Sequence, residues 1–125
     1  MTTLKASGNT QIQKLAGAIA GNIRQEGEVQ ISLVGASALN QAIKACIVAR
    51  RFLKDDPTPS DIAIQPEFVM QNFATPYSEG DREVTTIMIH IKKAAFDPAH
   101  AVTSEVPQHE NEATPAAPVE EGENK

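Results

Sequence analysis

The chain has 125 residues and a formal charge of −5, long enough for one domain with a real hydrophobic core. Taken whole, that charge argues against a nucleic-acid or anionic-membrane partner. The single cysteine, Cys46, excludes an intrachain disulfide and a cysteine-based zinc cluster.

The charge is uneven. Residues 96–125 hold seven acidic side chains against Lys125 alone, a net of −6, so residues 1–95 carry ten basic and nine acidic groups, a net of +1. No apolar run is long enough to span a bilayer, and Met1 to Thr10 is too polar for a signal peptide. The expectation is a soluble cytoplasmic protein with no membrane partner.

In chain order, Thr3 to Ser7 alternates as a short strand. Ile12, Leu15, Ala16, Ile19, Ala20 and Ile23 then recur at helical spacing. Thr10 and Gln13 have capping-box spacing at the start of this helix, and Gly27 can close it. Gly17 and Gly21 lie one turn apart inside it; close backbone packing is the expected compensation for their cost of up to about 1 kcal/mol each relative to Ala. Val29, Ile31 and Leu33 alternate as a second strand.

Gly35 turns the chain, Ser37 can cap a second helix, and Asp55-Asp56-Pro57 ends it. On a helical wheel Ser37, Asn40, Gln41, Lys44 and Arg51 gather in one arc of about 100°. Leu39, Ala42, Ile43, Ala45, Cys46, Ala49, Phe52 and Leu53 fill most of the remainder. A helix on one sheet needs only an apolar stripe, so this surplus asks for a second cover. In a short chain, another copy supplies it most cheaply. A symmetric dimer burying Ile47, Phe52 or Leu53 is therefore expected. Cys46, in this apolar setting, reads as a small core residue rather than a nucleophile.

Ile62 and Ile64 begin a third strand, interrupted at Pro66 and resumed from Phe68 to Phe73. The proline implies an edge position or a bulge. Thr75 to Asp81 reads as a hairpin loop. Arg82 to Lys93 is the last strand, with Ile87, Ile89 and Ile91 on one face. The order β-α-β-α-β-β implies an α+β fold of two layers: a four-stranded mixed sheet with both helices on one face. The other face would present Lys5, Gln30, Ser32, Thr86, Met88, His90 and Lys92 to water. Residues 1–95 form the domain. Residues 96–125, rich in Ala, Pro and Glu and lacking Leu, Ile and Met, read as a disordered acidic tail.

The run IRQEGEVQISLVGASALNQAIKACIVARRF resembles the bacterial stage V sporulation protein S family, most specifically across VGASALNQAIKA, and LAGAIAGNIR matches the family's first helix. The resemblance spans about Leu4 to Lys93. It implies an Alba-like fold, shared with nucleic-acid-binding proteins that form dimers, and similar to the C-terminal domain of translation initiation factor three. It also implies a bacterial regulator of development or gene expression. Alba proteins grip DNA with a basic hairpin, whereas this loop sets Glu79 and Asp81 against Arg82.

No phosphate loop, dinucleotide fingerprint, serine elbow or HExxH site is present, so neither catalysis nor a cofactor or metal is expected. The candidate site is the strand–glycine–helix junction at Val34 to Asn40, which points backbone N–H groups at solvent with a helix dipole behind them. Ser37, Asn40 and Gln41 would donate hydrogen bonds to phosphates of DNA or RNA, with charge from Lys44, Arg51 and Lys14. An ordinary capped turn beside a solvated helix face accounts for the same residues, and a protein-interaction module on the same fold is the alternative function.

Overall fold

A computed structural model describes residues 1–74 and 81–103. Its elements are β1 (Thr3–Ala6), α1 (Ile12–Glu26), β2 (Glu28–Leu33), α2 (Ala36–Lys54), β3 (Ser60–Ala74) and β4 (Asp81–Ala95), followed by a 3-10 turn at Pro98–His100. The strands form one mixed sheet in the order β1-β2-β4-β3. β1 runs parallel to β2, while β4 is antiparallel to both β2 and β3. The architecture is the expected one.

The apolar alternation explains the layering. Val29, Ile31 and Leu33 of β2 pair with Ile91, Ile89 and Ile87 of β4, putting six branched side chains on one face. Ile12, Leu15, Ile19 and Ile23 of α1, with Leu53 of α2, bury themselves in the same core. Ala16, Ala20, Ala42, Ala45 and Ala49 are completely buried. Such small residues let helix backbones approach one another and the sheet closely.

The helix ends differ from their sequence signals. α1 is capped at Gln11 with no side-chain bond; Thr10 instead turns back, its hydroxyl accepting the Ser7 N–H at 2.7 Å. The capping box therefore does not form. Gly27 closes α1 in the left-handed conformation, as expected, donating its N–H to the Ile23 carbonyl at 3.0 Å. α2 is capped by Gly35 at φ 94°, and Ser37 lies inside the first turn rather than at the cap. Gly17 and Gly21 correct a second expectation: a methyl group at either would meet nothing within 4 Å, so no close backbone packing involves them.

The surplus apolar surface of α2 is mostly absorbed within the chain. α1 packs along it, and Cys46, Val48 and Leu53 are 5%, 3% and 0% exposed. Phe52 is half-buried against the core, which leaves Ile47 as the open apolar residue of the helix, 43% exposed. A second copy is not needed to cover Phe52 or Leu53.

β3 is uninterrupted. Its register with β4 runs one-to-one from Ser60↔Ala95 to Ala74↔Asp81, so Pro66 sits on an edge strand without a bulge. Lacking an N–H, Pro66 must turn its backbone away from β4. By alternation Ile62, Ile64, Phe68 and Met70 do the same, and the Ile62 N–H is taken by Asp61 Oδ1 at 2.8 Å. β3 and β4, at 15 residues each, outrun the six-residue β2. On the helix side of this ribbon Phe68 is 76% exposed and Met70 54%. The loop expected at Thr75–Asp81 lies outside the described residues apart from Asp81, which begins β4.

The opposite face carries exposed Lys5 and Lys92 and half-buried Gln30, Ser32, Met88 and His90, as expected. Thr86 departs from the pattern, being fully buried where the ribbon passes the end of β2. His90 Nε2 lies 3.3 Å from Glu28 Oε1.

Residues 96–103, counted with the tail on composition, return over α2. Arg50 Nη2 donates to the His100 carbonyl at 2.6 Å and Lys54 Nζ to the Val102 carbonyl at 2.8 Å, with Val102 only 8% exposed. Asp97 starts the 3-10 turn by accepting the Ala99 N–H at 2.9 Å, with Pro98 in the first turn. Residues 104–125, and with them most of the expected disordered tail, lie outside the described residues.

Arg50 also grips Asp61 with two bonds of 2.8 and 3.0 Å, so one guanidinium joins α2, β3 and the returning segment. Burial alone would raise the Asp61 pKa, but hydrogen bonds from Arg50 and the Ile62 N–H, together with the Arg50 charge, hold it below its usual value. Because the folded value is depressed, the stabilisation is present above the unfolded carboxyl pKa of about 3.9 and is lost as pH falls through the folded one. Arg50→Ala should cost about 1–3 kcal/mol at pH 7, between the values for surface and buried pairs. Urea unfolding should show that difference shrinking below pH 4. Gly17→Ala should move stability the other way, by about 0.5–1 kcal/mol, since its site is helical and open.

Candidate nucleic-acid interface

Because β1 and β2 are parallel neighbours, the turns that follow them lie side by side. A methyl at Gly8 would sit 3.0 Å from the Ser37 Cβ, so a side chain there would require Ser37 to give by a few tenths of an ångström where the β1–α1 loop presses on the start of α2. Gln41 Nε2 bridges the same seam, donating to the Thr10 carbonyl at 2.9 Å. Both helices consequently begin at one end of the sheet.

Val34, Gly35, Ala36 and Ser37 are all exposed there. Gly35 offers no side chain to cap the helix, and the first bond of α2 is Leu39 N–H to the Gly35 carbonyl at 3.1 Å. The N–H groups of Ala36, Ser37 and Ala38 precede it and thus belong to the unsatisfied first turn, backed by the dipole of a 19-residue helix. This is the geometry in which a phosphate oxygen is held by backbone donors.

The six predicted side chains do not fall in one cluster. Ser37 and Asn40 are exposed beside the open turn, and Lys14 is exposed near the beginning of α1. Gln41 gives one amide hydrogen to the Thr10 carbonyl, which ties it into the junction. Lys44 lies one turn beyond Asn40, and Arg51 two turns further, about 10 Å along the axis. Both are partly exposed and already engaged in interactions of their own. The arrangement is a line along α2 rather than a pocket.

Several elements of this surface carry no simple sequence signal. Ile47 sits in the polar line of α2, and Ile64, Phe68 and Met70 give β3 an open apolar side. Their period-two spacing looks like that of core residues. Lys54 lies at the foot of the same line, bonded to Val102. The pair Asp97-Pro98 was the available sign of structure beyond β4, being a helix-start combination.

Chemistry of other kinds finds little purchase. Burial pushes the Cys46 thiol up to about 11, so it is not a thiolate at neutral pH. Among the described residues no group of three or more His, Cys, Asp or Glu side chains is placed to hold a metal, and no helix is long and apolar enough to cross a membrane.

The fold is similar to that of Alba from Thermoplasma volcanium, with a TM-score of 0.51 and 12% identity over 72% of this chain and 98% of that one. At this identity the likeness concerns the fold alone. A match of family rank covers residues 2–94, from the start of β1 nearly to the end of β4 and including the whole junction. On that match the chain belongs to the stage V sporulation protein S family.

Proposed function

We propose that this protein is a non-enzymatic, cytoplasmic nucleic-acid-binding protein that acts as a homodimer in bacterial regulation of development or gene expression. The observation that carries the reading is the exposed start of α2, with uncapped N–H groups at Ala36 to Ala38 and Asn40, Lys44 and Arg51 following along one helix line. Backbone donors and cations in that order suit successive phosphates of DNA or RNA. Phosphate contacts position a protein without reading bases, so little sequence preference is expected.

Of the residues the helix pattern singles out, the dimer keeps Ile47 and adds the open side of β3. Ile64, Phe68 and Met70 share one side of β3, and Ile47 adds an open apolar residue on α2. A two-fold pairing over β3 would cover them and double the number of basic groups, which offsets the weak charge of each core. The same exposed Phe68 favours a second reading, an assembly module that shares the fold without nucleic-acid affinity.

Fluorescence anisotropy with labelled DNA and RNA separates the two. Binding should weaken with salt, and Lys44→Ala should reduce the log–log slope by about one unit. A folded Lys44→Ala protein with unchanged affinity and slope would remove this site, and wild type that binds neither polymer at low salt would favour the assembly reading. Phe68→Glu should convert a dimer to a monomer in sedimentation at micromolar concentration while leaving the circular dichroism spectrum intact. A wild type that already sediments as a monomer would end the dimer proposal.

A further inference from the structure

We infer that the exposed line of α2 is the docking surface for the chain's own acidic segment, residues 104–125, delivered there by the strap at 97–103; the inference rests on the nucleic-acid reading of that line. The strap fixes where the segment begins. His100 and Val102 give their carbonyls to Arg50 and Lys54, so the chain crosses α2 toward that helix's C-terminal end and leaves the described fold at Thr103, next to Lys54. Val102, 8% exposed, adds an apolar anchor.

Charge and reach identify the occupant. Residues 104–125 hold Glu105, Glu110, Glu112, Glu120, Glu121 and Glu123 against Lys125 alone, a net of −5. Lys44 and Arg51 share one line of α2 and Lys54 follows one turn beyond Arg51, with Lys54 to Lys44 spanning ten residues, about 15 Å. Glu105 stands two residues past Thr103 and Glu110 seven, within roughly 25 Å of chain at full extension. The first carboxylates therefore reach the whole cationic line. Tethering makes the contact intramolecular, with an effective concentration of order millimolar, so a weak ion contact suffices to compete with a polyanion.

The consequence is competition in cis. A nucleic acid gains access to Lys44 and Arg51 by displacing the acidic segment, and the segment sets a threshold for binding that rising salt lowers. Two full-length variants test this. One replaces all six glutamates beyond 103 with glutamine, moving the formal charge from −5 to +1. The other, Val102→Ser, loosens the strap and keeps every charge.

Affinity for a labelled 20-nucleotide DNA and RNA is measured at 50 and 200 mM salt, together with amide NMR spectra of each free protein. The glutamine variant should bind about fivefold or more tightly than wild type at 50 mM, with a smaller ratio at 200 mM where screening is stronger. Val102→Ser should fall between the two. Amide signals around Lys44, Arg51 and Lys54 should shift in the glutamine variant at low salt. Equal affinities of wild type and glutamine variant would overturn the inference, as would a binding gain without those shifts, since overall charge alone would then explain it. If neither protein binds nucleic acid, the function reading fails, and the amide shifts alone decide whether the segment docks.

Discussion

Parallel pairing of β1 with β2 is the constraint on which the remaining structure depends. Parallel neighbours cannot be joined by a tight turn, so β1 must be followed by a crossover that returns the chain over the sheet, and β2 and β3, both antiparallel to β4, run the same way and are joined by a second. Two such crossovers lay α1 and α2 side by side, with their starts at the same end. The junction at Gly35, the pressure of Gly8 on Ser37 and the Gln41 bridge to Thr10 all follow from this shared end. Close approach of the two helices then demands the buried alanines, and a single added methylene at such a position would strain the core.

Against this closely packed half stands the β3–β4 ribbon, which owes nothing to a crossover beyond its entry from α2. Its strands hold each other in an unbroken register, and only the part next to β2 is backed by helices. Apolar side chains on the rest have no cover within the described chain. The molecule thus separates two jobs: a polar line on α2 presented by the crossover half, and an apolar side presented by the ribbon. Arg50 joins the two halves, since its guanidinium reaches Asp61 on β3 from α2 and holds the strap as well.

Element order and sheet topology were legible because hydrophobic period switches between two and 3.6 at each boundary, and the core positions Ile19, Ile31 and Ile91 follow from that alone. Local end signals fared worse. Thr10 has a cap residue's chemistry but spends its hydroxyl on Ser7, because the tight loop at 7–10 offers a nearer donor than the helix does. Pro66 looked like a break because an alternating run cannot reveal which side of a strand is unpaired. The candidate site was half legible: Asn40, Lys44 and Arg51 lie on one line by helical spacing, whereas the Gln41 bond depends on a loop 31 residues away. The strap was hidden by composition, since two lysine and arginine contacts to backbone carbonyls leave no trace in hydropathy.

The guarded edge of β3 has a consequence for how copies of this chain meet. An open strand edge is a template on which identical chains add one after another into a continuous sheet. Here the outward N–H of Ile62 is already occupied by Asp61, and Pro66 removes the donor four residues on. The opposite edge, β1, is only four residues long. The first half of β3 and the short β1 therefore offer few consecutive donors to such a ladder. A two-fold pairing over the apolar side of the ribbon would, by contrast, consume the surface it uses and yield a finite particle instead of a fibre.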